Sequence, residues 1–315
     1  ENLVARAKEL GMPSLAMTDH GSLTNTIAFM SACKLAGIKP IVGVEGYVAV
    51  DSQIFHITLL ANGKAGFNSL VNVNNAGQHS SFSKPAFSID DLVKNSDGLY
   101  ILTGCIASPF QALPLPDAVE IGRYLLPHFS GRMFAETMAV GNYRSWVRSM
   151  ELAERLGIPP VVTNDVHFTK RELAPVHKVL TNLKAGFEYQ SAMLYMATPE
   201  EILARVSNET DSVKTFFVRG IDNAGRLAAR LQPPEFSSEP ALPTVDGSAK
   251  VLRDMCYDRV KANPAWRDNK ELLARLEYEL SVIHDFGYET YFIILHDIVD
   301  FAKRSGIRVG PGRGS

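Results

Sequence analysis

Three stretches of the chain, "AKELGMPSLAMTDHG", "CKLAGIKPIVGVEG" and "AERLGIPPVVTNDVH", carry the same unit. Each reads as the end of a helix, a glycine that closes it (Gly11, Gly37, Gly157), a proline a few residues on, and then a short apolar strand. A helix that hands over directly to a strand is the second half of a βαβ repeat. Its recurrence predicts an α/β domain with a mostly parallel sheet or barrel. "FHITLLA", "GLYILTGC" and "MFAETMA" supply further candidate strands.

The strand ends carry the chemistry. Asp19 and His20, Glu45, Cys105, and then Asp165 and His167 fall at or just past the C-terminal end of an apolar strand, the edge where parallel α/β sheets and barrels assemble their sites. His56 opens another strand. Imidazole, carboxylate and thiolate are the ligand set of zinc and its first-row neighbours. Asp165 and His167, two apart, share a face if the strand's alternation continues through them. Taken singly, each residue has a plainer reading: His56 as a satisfied core histidine, Cys105 as a small buried hydrophobe, Asp19-His20-Gly21 as a cap and turn. Taken together at one edge of one sheet, they predict a metal site.

Near Gln232 the texture changes. "QPPEFSSEPALPTVDGS" packs Pro233, Pro234, Pro240 and Pro243 among serines with no periodic apolar face, and reads as a linker. Beyond it, Leu272, Leu276, Leu280 and Ile283 recur at helical spacing, and "YFIILHDIVDFAKRSG" reads as a second helix closed by Gly306. The loop "RVGPGRGS" follows, with Arg313 framed by glycines as in a phosphate cradle. The net charge of -2 gives no electrostatic footprint for nucleic acid, although a local basic groove can hide inside a neutral total. The 3 cysteines, widely spaced and odd in number, argue against a disulfide framework and for a reducing cytoplasm. The apolar runs are short and interrupted, so a membrane span is not expected. The chain opens at Glu1 in the middle of a helical pattern, and both of its ends read as cut.

"GMPSLAMTDHGSL", "GIKPIVGVEGYV", "HITLLANGKAGFNSLV", "LTGC" and "VVTNDVHF", in this order, resemble the polymerase and histidinol phosphatase (PHP) domain at the N-terminus of the bacterial DNA polymerase III alpha subunits. "FGYETYFIILHDIVDFAKRSGIRVGPGRGS" resembles the opening of that family's palm domain. The resemblance covers essentially the whole chain and thins across residues 184–248. It implies a distorted (β/α)7 barrel over residues 1–232, a linker over 233–248, and the mainly helical start of a nucleotidyltransferase-like palm over 249–315. The family's metal ligands carry over onto His20, Glu45, His56, Cys105, Asp165 and His167, with Asp19 orienting a neighbour. Its nucleotide-contacting loop carries over onto Gly312, Arg313, Gly314 and Ser315. A further family motif, His-x-His with a nearby aspartate, belongs ahead of Glu1.

The resemblance further implies a DNA-directed DNA polymerase acting on primer–template and deoxynucleoside triphosphates, with magnesium for polymerisation. It also implies zinc, manganese or iron in a barrel that acts as a 3′–5′ exonuclease, and a cytoplasmic replisome of exonuclease, sliding clamp and clamp loader as partners. The polymerase's Asp-x-Asp pair is expected downstream of Ser315, so the chain by itself is not expected to polymerise. Two other readings stand beside this one: a free-standing PHP phosphoesterase, and a barrel that is catalytically idle and docks a separate exonuclease.

Overall fold

The computed structural model describes residues 2–79, 84–185, 193–237 and 243–312. It divides into two compact units, Glu1–Phe236 and Ser237–Ser315.

The first unit is built on seven strands: β1 (Ser14–Met17), β2 (Lys39–Val50), β3 (Gln53–Ala61), β4 (Ala86–Ser88), β5 (Leu99–Leu102), β6 (Met133–Met138) and β7 (Pro160–Thr163). They form one sheet in the order β1-β2-β3-β5-β6-β7, with β4 paired to β2. The helix–glycine–strand units behave as the sequence implies. Gly11, Gly37 and Gly157 adopt φ of 67°, 74° and 64°, a conformation open to glycine at no steric cost, and each is followed by a strand that enters in parallel with its neighbour. β1 with β2, β2 with β4, β5 with β6 and β6 with β7 are parallel.

β3 breaks the pattern. It folds back on β2 as an antiparallel hairpin, with Val50 paired to Gln53 across a two-residue turn, and then pairs antiparallel with β5. Asp51 in that turn has φ of 52°, a left-handed conformation that aspartate tolerates better than most residues.

Both faces of the sheet are covered, which is why β5 reads "LYIL" with no polar residue in it. Ile101 faces a large core formed with Leu70, Phe110, Leu125, Met133 and Leu152; its neighbour Leu102 faces the other side. On that second side Ile41, Leu60, Leu102, Phe134 and Val161, one from each of β2, β3, β5, β6 and β7, pack with Leu227 and Leu231 at the end of the helix Asp211–Arg230. At about 4.8 Å per strand a flat sheet would spread those five strands over roughly 19 Å, wider than the roughly 10 Å of a helix. The sheet therefore curls around the helix as part of a barrel. Among the described residues no strand pairing joins β7 back to β1. Lys39 at the start of β2 holds the helix end in place, its Nζ donating to the carbonyls of Ala229 and Leu231 at 2.9 Å. On the outer side the helix Gly63–Gln78 comes so close to the turn before β5 that a Cβ on Gly66 would stand 2.3 Å from the Gly98 carbonyl oxygen, so glycine is required there.

The segment after that helix is not free chain at its start. Gln232 donates its N–H to Asn62 Oδ1 and accepts from Gly63 N–H, both at 2.8 Å, and the Phe236 ring meets Phe67 edge-on at 5.0 Å between centroids.

The second unit is helical: Ser248–Ala262, Pro264–Arg267, Lys270–Asp285 and Glu289–Arg304. Arg253 forks onto both carboxylate oxygens of Glu277, and Tyr257 donates to the same carboxylate. Among its described residues, Leu252, Val260 and Ile293 are the buried apolar ones. Gly306, at φ of 72°, closes the last helix, and Gly312 takes φ of 136°, where glycine alone is at ease. Arg313, Gly314 and Ser315, the rest of the expected nucleotide loop, lie outside the described residues. No described helix is long and apolar enough to cross a membrane.

Candidate metal centre

Beyond the end of β1 the backbone stays beside β2. The Glu45 N–H is shared between the carbonyls of Thr18 and Asp19 at 3.2 Å each, Gly21 N–H donates to the Glu45 carbonyl at 2.9 Å, and His20 and Glu45 form an isolated parallel bridge. His20 is thus set against Glu45, with Nε2 3.0 Å from Oε2. On β3, His56 stands opposite Tyr47, and Glu45 opposite Thr58. Glu45 and His56 are therefore diagonal neighbours on one face of the hairpin, a separation that a long side chain can bridge. His56 Nδ1 lies 3.1 Å from Glu45 Oε1.

The loop after β5 is drawn over the same place. His56 N–H donates to the Ala107 carbonyl at 3.0 Å, and Cys105 Sγ comes within 3.6 Å of His56 Nδ1. The donor atoms of His20, Glu45 and His56 all lie within 4.8 Å of one another. Two donors held tetrahedrally at 2.0–2.3 Å from one ion stand about 3.3–3.8 Å apart, and the 3.0, 3.1 and 3.6 Å spacings along this chain of contacts lie within a few tenths of an ångström of that range.

Asp165 and His167 approach from β7. That strand ends at Thr163, so strand alternation does not place the two residues. The loop does: Asp165 takes φ of 50°, and its carbonyl accepts from His167 Nδ1 at 2.9 Å. A carbonyl can only accept, so Nδ1 carries the proton and Nε2 keeps its lone pair for a ligand. The His167 ring lies 6.5 Å from that of His20, centroid to centroid. Glu45 also departs from the sequence expectation, since it sits in the middle of β2 rather than at its end; only the neighbouring β1 stops there. The Asp19 carboxylate turns to Asn25, accepting from its Nδ2 at 2.9 Å, and acts on the site through its backbone bond to Glu45.

Electrostatics favour a cation. Burial pushes the Glu45 carboxyl up, but the hydrogen bond and charge of His56, the charge of His20 and the hydrogen bond of Cys105 together outweigh it and hold the group below the usual carboxylate range. Burial, and then the charge of Glu45, push the Cys105 thiol far up, so that it holds its proton unless a cation takes the proton's place.

Two residues near the centre escape a reading of the sequence. Glu136 on β6 is 2% exposed; it accepts from Thr163 Oγ1 at 2.7 Å and from Gly104 N–H at 2.9 Å, so it holds the roots of both the Cys105 loop and the Asp165 loop. Its burial pushes the carboxyl up to about 7, against the hydrogen bonds of Thr163, Thr58 and Gly104. The available signal was a lone acid inside "MFAETMA". His177, on the helix Ala174–Ala185, meets the His167 ring edge-on at 5.4 Å and the Phe168 ring at a tilt at 5.2 Å between centroids, with its Nδ1 buried and without a hydrogen-bond partner among the described residues. Nothing in its helical context singles it out.

The PHP domain family matches residues 1–140, and the family described as bacterial DNA polymerase III alpha NTPase domain matches residues 250–315. An error-prone DNA polymerase of Symbiobacterium thermophilum is 30% identical over all of this chain and 31% of its own length. The DNA polymerase III subunit alpha of Treponema pallidum is 28% identical over all of the chain and 29% of its own length. That of Escherichia coli is 29% identical over 99% of the chain and 29% of its own. The chain thus spans about a third or less of each of these relatives. Matched from end to end by alpha subunits, and bearing their PHP domain at its front, the chain belongs to the bacterial DNA polymerase III alpha-subunit family and corresponds to a stretch of it.

Proposed function

We propose that residues 1–232 form a metal-dependent phosphodiesterase, working as a 3′–5′ exonuclease on DNA, within a DNA-directed DNA polymerase. Residues 233–248 are its linker and 249–315 the start of the palm. The observation that carries the first part is the meeting of His20, Glu45, His56 and Cys105, from four separate segments of the sheet and its loops, at ligand spacing.

His20, Glu45, His56 and Cys105 would hold one divalent ion of the zinc, manganese or iron kind, with Asp165 and His167 completing the centre. When bound, such ions supply Lewis acidity at a phosphoryl oxygen and a water of lowered pKa. The chain's own part is orientation. Glu45 keeps two imidazoles turned inward, and the Asp165 carbonyl fixes the His167 tautomer. With manganese added, the complete protein, including the residues expected ahead of Glu1, should shorten a 5′-labelled single strand from its 3′ end. His167→Ala should lower that rate by about 100-fold or more, in line with the cost of disturbing metal ligation. Metal-independent shortening, or none by the unaltered protein, contradicts the reading, and the second result favours an idle barrel.

The polymerase part is supported by the match over residues 250–315 and by the relatives' names. In it Gly312, Arg313, Gly314 and Ser315 contact the triphosphate of the incoming nucleotide, with magnesium at the reacting phosphate. Arg313 makes charge-assisted bonds, each worth about 1.5–3 kcal/mol. In the complete polymerase Arg313→Ala should therefore raise the nucleotide KM by about tenfold or more. Steady-state incorporation at varied nucleotide concentration tests it, and an unchanged KM and kcat would reduce the loop to a turn.

A further inference from the structure

A cavity of about 260 Å³ opens at the same edge of the sheet, between the loop after β5, the turn after β6 and the helix Tyr143–Leu156. It shares Cys105 and Asp165 with the candidate metal centre, so whatever enters it lies directly beside that centre. Among the described residues no lysine or arginine lines it; its ionisable side chains are acids and one thiol. A phosphate finds no counter-charge in such walls. A neutral group finds partners there: Ile106 and Met138 offer apolar surface, Gln111 an amide, and Thr137 a hydroxyl. Thr137 is 3% exposed, and its Oγ1 has no hydrogen-bond partner among the described residues. A buried hydroxyl left unpaired costs about 1–3 kcal/mol, which a ligand offering a polar edge can recover.

We propose that this cleft seats the neutral base-and-sugar part of a nucleotide whose phosphate stands at the metal centre. The proposal rests on the phosphodiesterase reading above and adds to it where the terminal nucleoside goes. The size and the mixture of apolar wall and hydrogen-bonding groups suit one nucleoside. With no cationic side chain in its own lining, the cleft leaves the anionic end to the cation of the centre.

Thymidine, which has no phosphate, probes the cleft without any hydrolysis. Titrated into the isotope-labelled chain, it should give saturable amide shifts at Ile106 and Thr137. Thr137→Val removes the unpaired hydroxyl at nearly constant shape, so the fold should be as stable or more so, while thymidine affinity falls about fivefold. Ile106 is 58% exposed, so Ile106→Trp can narrow the cavity mouth at little cost to the core and should abolish the shifts. In hydrolysis with manganese, thymidylyl-thymidine should be cut with a KM at least about fivefold lower than a diester whose 3′-terminal sugar lacks its base, the difference vanishing in Thr137→Val. Thymidine shifts that are absent, or that lie elsewhere, overturn the proposal. Equal KM for the two diesters overturns it too and leaves the phosphodiesterase reading standing. Hydrolysis of neither overturns that reading instead, and the thymidine titration still decides the cleft.

Discussion

Glu45→Ala should weaken divalent-metal binding by more than about 100-fold, the largest effect of any single change at the centre. Loss of a group that merely supports a metal ligand typically costs about 10–100-fold. Glu45 does more: its two oxygens reach two imidazoles, at 3.0 Å from His20 and 3.1 Å from His56, so its removal takes away both the charge and the piece that fixes their spacing. Glu45→Gln separates these roles, since it keeps the shape and one acceptor but not the charge, and should fall between the two. Zinc or manganese titration of chelator-treated protein, read by calorimetry, makes the comparison. If Glu45→Ala binds as tightly as the unaltered chain, the metal centre lies elsewhere.

The second large effect is on stability and comes from Glu136. A carboxyl whose value is raised in the folded protein stays protonated while the unfolded chain ionises. Folding therefore loses stability as pH climbs from the ordinary value of 4.5 to about 7, and the loss then levels off. A rise of that size corresponds to about 3 kcal/mol. Glu45, held below the ordinary range, has the opposite sign, and its contribution is lost only as pH falls through that lowered value. Above pH 5 the two separate. Denaturant titrations of metal-free protein between pH 5 and 8 should show the unaltered chain weakening by about 3 kcal/mol and Glu136→Gln nearly flat. Equal slopes in the two proteins would mean that Glu136 is ionised throughout.

The glycine-closed helices declare β1, β2 and β7 in the sequence, because a left-handed closing residue and a proline are local requirements that only a few residue types meet. The same pattern brings out His20, Cys105, Asp165 and His167, since each lies just beyond a strand end. The β2–β3 reversal is hidden. Its turn is Asp51-Ser52, without the glycine that usually marks a two-residue hairpin, and β2 runs on for five residues past Glu45. Glu136 is hidden for a different reason. One acid in an apolar strand reads as a solvent-facing position until the far face is known to be covered, and the cover, the helix Asp211–Arg230, arrives many residues later. The left-handed backbone at Asp165 has no local signature either, because the residue is set by the loop around it rather than by its own preference.

The hairpin bears on how the cost of ordering is divided among the donors. Glu45 and His56 are 11 residues apart and already fixed by the ladder between their strands, whereas Cys105 is 49 residues from His56 and sits on a loop. Each doubling of a flexible loop adds about 0.6 kcal/mol of closure entropy, so the longer connection carries roughly 1.3 kcal/mol more. For the first pair folding has met that cost before any ion arrives, so an ion's full attraction there is available as affinity. At Cys105, Asp165 and His167 part of the attraction goes into holding loops still, which makes those donors the natural place for exchange while the hairpin keeps its grip.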